Sequence, residues 1–251
     1  MHSDTPPPLE SQEHYDAYWN STESSYPAYP TIRHRKRFIL RAIEKHCGEN
    51  QCKIFDFGCG EGSLLQDIQQ QFALPGDHIA GNDISEKAVI RAREKVPEGT
   101  FHHAALPEIS AQYDVIICSE VIEHTTKYRD IIRWIADHLA PGGLLILSTQ
   151  AGKIHASDRY TGHTQHFVKA DLDALLQEEG FTIESSRLWG WPLFTLQKYL
   201  TDVSFDRVRE GYLEGGLTRW KRFIFAVTYR LYFLHDAIPF GPQIYIKAAK
   251  K

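Results

Sequence analysis

The feature that most constrains the fold of this chain is a glycine-rich loop in residues 55–65, FDFGCGEGSLL, between an apolar run and a helical pattern. Gly58, Gly60 and Gly62 occupy alternate positions, and glycines let a backbone pass close to a ligand. In a doubly wound α/β sheet, the loop after the first strand lies at the edge where ligands bind. The loop therefore predicts a small-molecule site at the carboxyl end of a first strand.

The rest of the chain alternates between strand and helix patterns, which predicts a seven-stranded sheet of the doubly wound α/β class, covered by helices on both faces. A helix is predicted over 31–46, ending at Gly48. Another begins after Ser85, a residue type that caps helix N-termini. The predicted strands cover 53–57, 78–84, 100–104, 113–119, 142–149, 181–189 and 242–250.

The pattern divides the 251 residues into three parts. Residues 1–46 form an aromatic N-terminal segment and a helix, and residues 47–190 with 240–251 form the sheet domain. Residues 191–239 are a helical insertion before the last strand, and they exceed what a compact connection needs. We expect this insertion to cap the substrate or to contact another subunit or a membrane.

The insertion contains the apolar and aromatic run WKRFIFAVTYRLYFLHDAIPFG. A helix that is apolar nearly all round is buried, paired with another subunit or laid on a lipid surface. We expect burial beneath the sheet edge or in a homo-oligomer. In the third case the helix would make a peripheral membrane contact, with Lys221, Arg222 and Arg230 as anchors.

Charge and cysteine content limit the functional classes. The formal net charge of −4 argues against a function based on chain-wide attraction to nucleic acid. The four cysteines match neither a paired zinc motif nor a dense disulfide framework, so we expect reduced thiols in a cytoplasmic protein. The polar, proline-rich start has no apolar signal region, and the chain has no apolar run long enough to span a membrane.

The glycine loop fits neither common phosphate-binding template. A dinucleotide-binding loop reads G-x-G-x-x-G and requires glycine at the position of Ser63, and a P-loop ends in Gly-Lys-Ser/Thr. Asp83 ends the second predicted strand, where a carboxylate can accept hydrogen bonds from a ribose diol. These features favour an adenosine-type ligand without a pyrophosphate, while the alternative for Asp83 is a charge at a helix N-terminus.

Four stretches in this order resemble the motifs of class I S-adenosylmethionine-dependent methyltransferases. They are FDFGCGEG (55–62), GNDIS (81–85), YDVIICSEVIEH (113–124) and LAPGGLLILST (139–149). The resemblance implies a Rossmann-like sheet with an antiparallel last strand, and S-adenosylmethionine as cofactor. It places the cofactor against Gly58 and Gly60, its ribose on Asp83 and its adenine near Ile84 and Leu106. The full set of implied cofactor-binding residues is Asp56, Phe57, Gly58, Cys59, Gly60, Asp83, Ile84, Leu106 and Ser119.

The residues after the fourth and fifth strands are candidates for catalysis. Glu120, Glu123 and His124 would share one helical face if a turn formed there. His163 and His166 follow the fifth strand in TGHTQHF. Because the carboxyl ends of neighbouring parallel strands meet at one sheet edge, these carboxylates and imidazoles are expected to converge above the methyl group.

Three interpretations of this cluster stay open. In the first, a divalent cation (Mg²⁺, Mn²⁺ or Zn²⁺) binds Glu120, Glu123, His124 and His163 or His166 and acidifies an acceptor hydroxyl. The Glu-x-x-Glu-His sequence resembles that of small-RNA 2′-O-methyltransferases and ubiquinone-pathway O-methyltransferases. In the second, His124 or His166 is a general base, with Glu120 beside it. In the third, the Glu–His pair is a structural cap.

The sequence as a whole predicts transfer of a methyl group to an oxygen of a small, apolar or aromatic organic acceptor. The alternatives are a metal-assisted RNA 2′-O-methyltransferase and a non-catalytic partner subunit with the same fold. The N-terminal segment is similar to the lid that relatives fold over the cofactor, and its aromatic residues are Tyr15, Tyr18, Trp19, Tyr26 and Tyr29.

Overall fold

The computed structural model describes residues 12, 13, 15, 16, 28–205 and 217–251, and their strands form one sheet. The strand order is β3-β2-β1-β4-β5-β7-β6. β7 runs antiparallel to both of its neighbours, and the other pairs are parallel. The predicted α/β fold with an antiparallel last strand is confirmed. The strands are β1 Ile54–Phe57, β2 Ile79–Asp83, β3 Thr100–His103, β4 Tyr113–Ser119, β5 Leu139–Gln150, β6 Phe181–Trp189 and β7 Gln243–Lys250.

The helices follow the predicted alternation closely. The Ser85 side chain caps α3 as expected, because its hydroxyl accepts a hydrogen bond from the Ala88 amide at 3.1 Å. The α-helices are α1 Pro30–Cys47, α2 Ser63–Phe72, α3 Glu86–Lys95, α4 Tyr128–His138, α5 Ala156–Tyr160, α6 Lys169–Glu178, α7 Leu193–Val203 and α8 Arg219–Leu231. Short 3₁₀ turns cover Gly76–His78, Ile122–His124 and Tyr232–Ala237.

Helices cover both faces of the sheet, because successive strand side chains point in opposite directions. Phe55 and Phe57 of β1 pack on the side of α4 and α6, and Ile54 packs on the side of α1, α2 and α3. Because these strands are buried on both faces, their sequences are continuous apolar runs. The sheet order reverses between β1 and β4, so the glycine loop and the residues after β4 lie at one carboxyl edge.

The cysteines give one correction to the sequence-based expectation. Cys47 at the end of α1 and Cys52 before β1 form a disulfide bond, with their Cα atoms 5.9 Å apart. The expectation of reduced thiols is therefore wrong at these two positions, because the turn after α1 brings them within bonding distance. Cys59 and Cys118 are free and buried. The cytoplasmic location, which rested partly on the cysteine pattern, stays a prediction.

The described part of the insertion consists of α7, α8 and the 3₁₀ turn after α8. Phe225 and Tyr232 are buried, and the Phe225 ring lies 5.1 Å from that of Tyr29, just before α1. The opposite side of α8 is exposed, because α1 covers only one of its faces, so the helix is not fully buried within the described part of the chain. The other expected alternative, burial in a homo-oligomer, stays a prediction. None of the helices in the described ranges has the length and apolar character needed to cross a membrane.

Candidate active site

The glycine loop turns sharply between β1 and α2. Gly58 and Gly62 have φ angles of 75° and 78°, which L side chains rarely adopt. A Cβ on Gly58 would overlap the Val121 side chain, and a Cβ on Gly62 would lie 2.9 Å from the Ala92 Cα. Glycine is therefore required at both positions, by the turn and by the close packing of neighbouring segments.

Asp83 lies at the end of β2 and holds the glycine loop in place. Its carboxylate accepts hydrogen bonds from the Gly60 and Ser85 amides, both at 2.9 Å. Burial raises the pKa of Asp83 to about 6, although the backbone hydrogen bonds oppose that shift. The group is thus an anion at neutral pH, and each oxygen keeps a further lone pair for a ligand hydroxyl.

The other predicted cofactor residues surround this loop. Asp56 is buried, and burial together with the nearby Asp83 charge raises its pKa to about 8. Cys59 is buried, and its amide donates to the Asn82 carbonyl at 2.8 Å. Phe57 packs in the core, with its ring 5.2 Å from that of Trp134. At this edge the structure therefore provides backbone groups, the buried Asp56 carboxyl group and the half-buried Asp83 carboxyl group.

The predicted adenine region is more open. Leu106, after β3, is 40% exposed, and Ile84 is half-buried. Asn82 is buried, and its side-chain amide donates to the Ala104 carbonyl at 2.9 Å. Asn82 thereby ties the end of β2 to the segment after β3. The sequence analysis did not identify this residue. Asn82 could have been identified from the sequence because it directly precedes Asp83, the acidic end of the second strand.

Glu120 is surrounded by hydrogen-bond donors. Its carboxylate accepts from Ser148, Gln150 and Gln243 at 3.0, 2.7 and 2.5 Å, and it pairs with Arg35 at 3.2 Å. Burial raises the pKa of Glu120, but the Arg35 charge and these hydrogen bonds outweigh it and leave the pKa lowered. A carboxylate that is so fully paired is a poor proton acceptor, so Glu120 fits an anchoring role better than that of a base.

The backbone at Glu120 also changes the predicted geometry of the turn. Its φ angle is 57°, in the left-handed region, and the following 3₁₀ turn spans only Ile122–His124. Glu120, Glu123 and His124 therefore do not share one helical face, contrary to the expectation. Ser119, which precedes this turn, forms a hydroxyl–hydroxyl hydrogen bond with Ser148 at 2.9 Å.

Arg35 on α1 is a site residue that the sequence analysis missed. Arg35 lies in a cationic run at 33–37, and most of the cations in this run contact other groups of the protein. Arg33 lies 3.7 Å over the Tyr229 ring, Lys36 pairs with Asp67, and Arg37 pairs with Asp236 at 2.7 Å. Helical spacing alone could not show which of these cations faces the sheet edge.

Glu123 is fully buried beneath the same turn. Its Oε2 accepts from the Thr149 hydroxyl at 2.7 Å, and its Oε1 has no hydrogen-bond partner among the described residues. Burial, reinforced by the neighbouring Glu120 charge, raises the pKa of Glu123 well above its usual range. A buried carboxyl oxygen without a partner is costly, and a ligand at this position would relieve that cost.

The segment that carries His163 and His166 is bonded directly to this turn. The Thr164 amide donates to the Glu123 carbonyl at 2.9 Å, and the Gln165 side chain donates to the Thr125 carbonyl at 2.6 Å. His163 Nδ1 lies 3.0 Å from His166 Nε2, and the ring centroids of His163 and His124 are 4.6 Å apart. The structure thus brings the three imidazoles together, as the order of the strands predicted.

The two downstream imidazoles are neutral at physiological pH. Burial, with the neighbouring His124 as second cause, lowers the pKa of His163 to about 3. The pKa of His166 is also lowered, mainly by burial. A group with so low a pKa is a weak general base, whereas a neutral imidazole is a good metal ligand. His124 is less buried than His163 and is the better candidate for a base.

A buried ion pair connects the insertion to this cluster. Lys198 on α7 donates to Asp158 and to Gln150, both at 2.8 Å, and both charged residues are only 5% exposed. Burial raises the pKa of Asp158, but the Lys198 charge outweighs it and leaves the pKa lowered. The other Asp158 oxygen lies 3.7 Å from His166 Nε2. Neither member of this pair was identified from the sequence.

The described part of the N-terminal segment reaches the same edge. The Tyr15 ring lies edge-on to His124 at 5.7 Å, and Asp16 accepts a hydrogen bond from the Ser85 hydroxyl. Tyr29 packs on α8, whereas Tyr18, Trp19 and Tyr26 lie outside the described residues. The position of Tyr15 agrees with the predicted lid, which stays a prediction.

Within the part of the chain that the structure describes, two groups of side chains have suitable atoms for holding a cation. Glu123, His124 and His163 offer ligand atoms within 4.8 Å of one another, and so do Asp158, His163 and His166. Three of the four residues predicted to bind a metal are therefore together. Glu120 belongs to neither group, and its carboxylate is engaged by Arg35 and three uncharged side chains.

Comparison with known proteins gives consistent matches. Residues 31–186 match the family model described as a methyltransferase domain. The ubiquinone biosynthesis O-methyltransferase of Aromatoleum aromaticum is 30% identical over 140 residues, which are 53% of this chain and 56% of that protein. The chain spans about half the length of the curated relatives it matches.

Solved structures share the fold over most of the chain. The magnesium protoporphyrin IX methyltransferase of Synechocystis PCC 6803, solved with S-adenosylmethionine, aligns with a TM-score of 0.53 and 22% identity, covering 87% of this chain and 80% of that one. The [4+2]-cyclase SpnF aligns with a TM-score of 0.57 and 17% identity, covering 86% and 81%. Because this fold occurs in proteins named for different reactions, the reaction must be argued from the site.

Proposed function

The chain belongs to the class I S-adenosylmethionine-dependent methyltransferases, and from that premise we propose that it transfers a methyl group to an oxygen of a small organic acceptor. The acceptor has an apolar or aromatic body. S-adenosylmethionine supplies an electrophilic methyl group, and the task of this chain is to hold the acceptor in line with it and to exclude water.

The residues at the carboxyl edge fit the cofactor. Gly58 and Gly62 allow the sharp turn that brings the loop backbone to this edge, and the Asp83 carboxylate has lone pairs for a ribose diol. Asn82 fixes the segment that would border the adenine. We infer that these residues, with Asp56, Cys59 and Ile84, bind S-adenosylmethionine.

One observation carries the proposal: Val121, in the turn with Glu120 and His124, packs directly on Gly58 of the glycine loop. The imidazole cluster is therefore adjacent to the predicted cofactor site. The Tyr15 ring beside His124 adds an aromatic surface and limits the access of water. An acceptor between Tyr15 and His124 would lie near the methyl donor.

Two arguments support oxygen as the acceptor atom. An oxygen nucleophile needs its proton removed, and His124 is suited to accept it. The matched protein from Aromatoleum aromaticum is named as an O-methyltransferase. We propose that His124 is the general base, that Glu120 anchors the site and that His163 and His166 orient His124.

Asp83→Asn tests the cofactor assignment. We expect the affinity for S-adenosylmethionine to fall by roughly 10- to 150-fold, because hydrogen bonds to a charged group contribute about 1.5–3 kcal/mol. Since the pKa of Asp83 is raised to about 6, the wild-type affinity should weaken as the pH falls through that value, where the carboxylate becomes protonated. Isothermal titration calorimetry across pH measures both effects.

The matched control is Asp114→Asn, which removes a carboxylate that accepts from the Lys53 amide at 2.8 Å, at the opposite end of the strands. It should leave cofactor affinity unchanged. Equal affinities of wild-type protein and Asp83→Asn would contradict the ribose assignment. In the variant the dependence on pH near 6 should be lost.

The alternative to a base at His124 is a divalent cation held by Glu123, His124 and His163, the set that contains the Glu123 oxygen without a hydrogen-bond partner among the described residues. Nitrogen and oxygen ligands together suit Zn²⁺ or Mn²⁺ better than Mg²⁺. A cation there would lower the pKa of an acceptor hydroxyl. His124 would then act as a ligand instead of a base, so the two roles of His124 exclude each other.

A methyl-transfer assay tests the acceptor class and the cation together. Formation of S-adenosylhomocysteine should be stimulated by phenolic acceptors, and short RNA should not stimulate it. With a bound cation, a chelator should abolish turnover, and Mn²⁺ or Zn²⁺ should restore it. Turnover that is indifferent to chelator would remove the cation and leave His124 as the base.

The same assay separates the alternatives. Stimulation by RNA with a steep dependence on salt would favour the RNA 2′-O-methyltransferase, because phosphate contacts release counterions. Cofactor binding without turnover on any acceptor would favour a non-catalytic partner subunit. Either result would overturn the proposed reaction, and the cofactor assignment would be retained.

A further inference from the structure

The outer face of α8 carries an exposed apolar stripe at helical spacing. Its residues follow one another at intervals of 3, 4, 4 and 3 positions, which places them on one side of the helix and of the turn that continues it. The stripe consists of Trp220, Phe223, Val227, Leu231 and Leu234, with exposed fractions of 68%, 58%, 40%, 49% and 59%. Exposed apolar side chains that are contiguous in this way mark an interaction surface.

The inner face of the same helix is already occupied. Phe225 is 2% exposed against Tyr29, and the Tyr229 ring contacts His34 at 4.5 Å. α8 is thus anchored to α1 by one face, and its orientation does not depend on what covers the stripe. The rings of Trp220 and Phe223 stack on each other at 5.5 Å and form a broad end to the stripe.

The charges around the stripe all have the same sign. α8 carries four cationic residues, Arg219, Lys221, Arg222 and Arg230. Residues 217–235 contain no Asp or Glu. Arg219, Arg222 and Arg230 are exposed. This segment is strongly cationic in a chain whose formal net charge is −4, so its charge does not follow from the composition of the whole chain.

The charge pattern distinguishes between two candidate occupants, a second copy of the chain and an anionic surface. A two-fold interface through the stripe would place Arg219 and Arg230 of one copy beside the same two residues of the other, with no acid within residues 217–235 to offset their charges. A bilayer that contains anionic lipids accepts the apolar side chains below its headgroups and attracts the cations beside them.

We propose that α8 is a membrane-docking helix. It lies in the headgroup layer of an anionic phospholipid bilayer, with the apolar stripe inserted and Arg219 and Arg230 at the phosphates. Long cationic side chains can reach the headgroups while their stems cover apolar surface. Docking through a helix fixed to α1 would hold the carboxyl edge of the sheet close to the lipid surface.

Sedimentation with lipid vesicles tests this proposal on the full chain. The protein should pellet with vesicles of phosphatidylcholine and phosphatidylglycerol, and less with phosphatidylcholine alone. Phe223→Ser and Leu231→Ser should each lower partitioning by about tenfold, because each removes one large apolar side chain from the bilayer. Arg219→Gln combined with Arg230→Gln should lower binding to the anionic vesicles by about tenfold or more and weaken its salt dependence.

Ile90→Ser is the matched control, because Ile90 on α3 is a 48% exposed apolar residue outside the insertion. Its partitioning should equal that of the wild-type protein, and circular dichroism should show that all variants are folded. Failure of the wild-type protein to pellet with anionic vesicles would overturn the proposal. So would an equal loss in Ile90→Ser, or a dimer by light scattering that Phe223→Ser converts to a monomer without vesicle binding.

Discussion

Replacing His124 with alanine is expected to lower kcat for methyl transfer by about 10²- to 10⁴-fold, the usual contribution of a positioned general base. His124 is half-buried, whereas His163 is buried, and the His124 ring lies against Tyr15. The lowered pKa values of His163 and His166 leave those two residues poorly suited to accept a proton. The loss should therefore be larger than that for either neighbour.

The expected kinetic signature separates this role from a structural one. Affinity for S-adenosylmethionine should be unchanged in His124→Ala, because the glycine loop and Asp83 remain. Free imidazole should restore part of the activity by replacing the missing base. Single-turnover assays with and without imidazole measure the effect.

The matched control is His46→Ala, at the end of α1, which should retain wild-type kcat. A kcat in His124→Ala within threefold of wild type would rule out the base. A loss that imidazole does not restore, but that follows the content of bound metal, would indicate a cation ligand instead.

Replacing Lys198 with methionine is expected to lower the free energy of unfolding by about 3–5 kcal/mol. The substitution leaves Asp158 buried and charged without its cation, which costs more than the pair itself contributes. It also removes the donor to Gln150, which binds Glu120. Urea unfolding followed by tryptophan fluorescence measures the change.

The dependence of this loss on pH identifies its cause. In the wild-type protein the pKa of Asp158 is lowered, so its contribution is present above the unfolded pKa of about 3.9 and is lost as the pH falls through the folded pKa. In Lys198→Met, burial without a cation raises the pKa of Asp158. Protonation then relieves the buried charge, so the difference from wild type should shrink towards pH 4.

Lys153→Met provides the comparison at the surface. Lys153 pairs with Asp202 at 3.5 Å and is 61% exposed, so its loss should cost at most about 1 kcal/mol. Lys198→Met combined with Asp158→Asn should recover part of the stability, because no buried charge remains. Equal effects of Lys153→Met and Lys198→Met would show that the buried pair is not important for stability.

The fold could be predicted because its signals are local. Strands with continuous apolar runs, amphipathic helices and the Ser85 cap are set by residues within a few positions of one another. The position of the glycine loop follows from the same alternation, because ligands bind at the carboxyl edge of such sheets. The convergence of His124 and His163 could be inferred for the same reason.

The internal arrangement of the site could not be predicted, because it depends on contacts between distant segments. Glu120 receives a hydrogen bond from Gln243, 123 positions away, and a salt bridge from Arg35 on α1. Against the effect of burial, the Arg35 charge leaves the pKa of Glu120 lowered, whereas burial and the Glu120 charge raise the pKa of the nearby Glu123. Two glutamates that look equivalent in the sequence are thus given opposite properties by packing.

The sequence by itself determined the α/β architecture, the family and the edge of the sheet at which the predicted cofactor residues lie. Only the tertiary structure decided that Lys198 pairs with Asp158, that Cys47 bonds to Cys52 and that α8 exposes its apolar stripe. The physical reason is that periodicity specifies which side chains share a face of an element. Which side chains that face contacts, and whether its charges are buried or paired, depends on segments that are distant in the sequence.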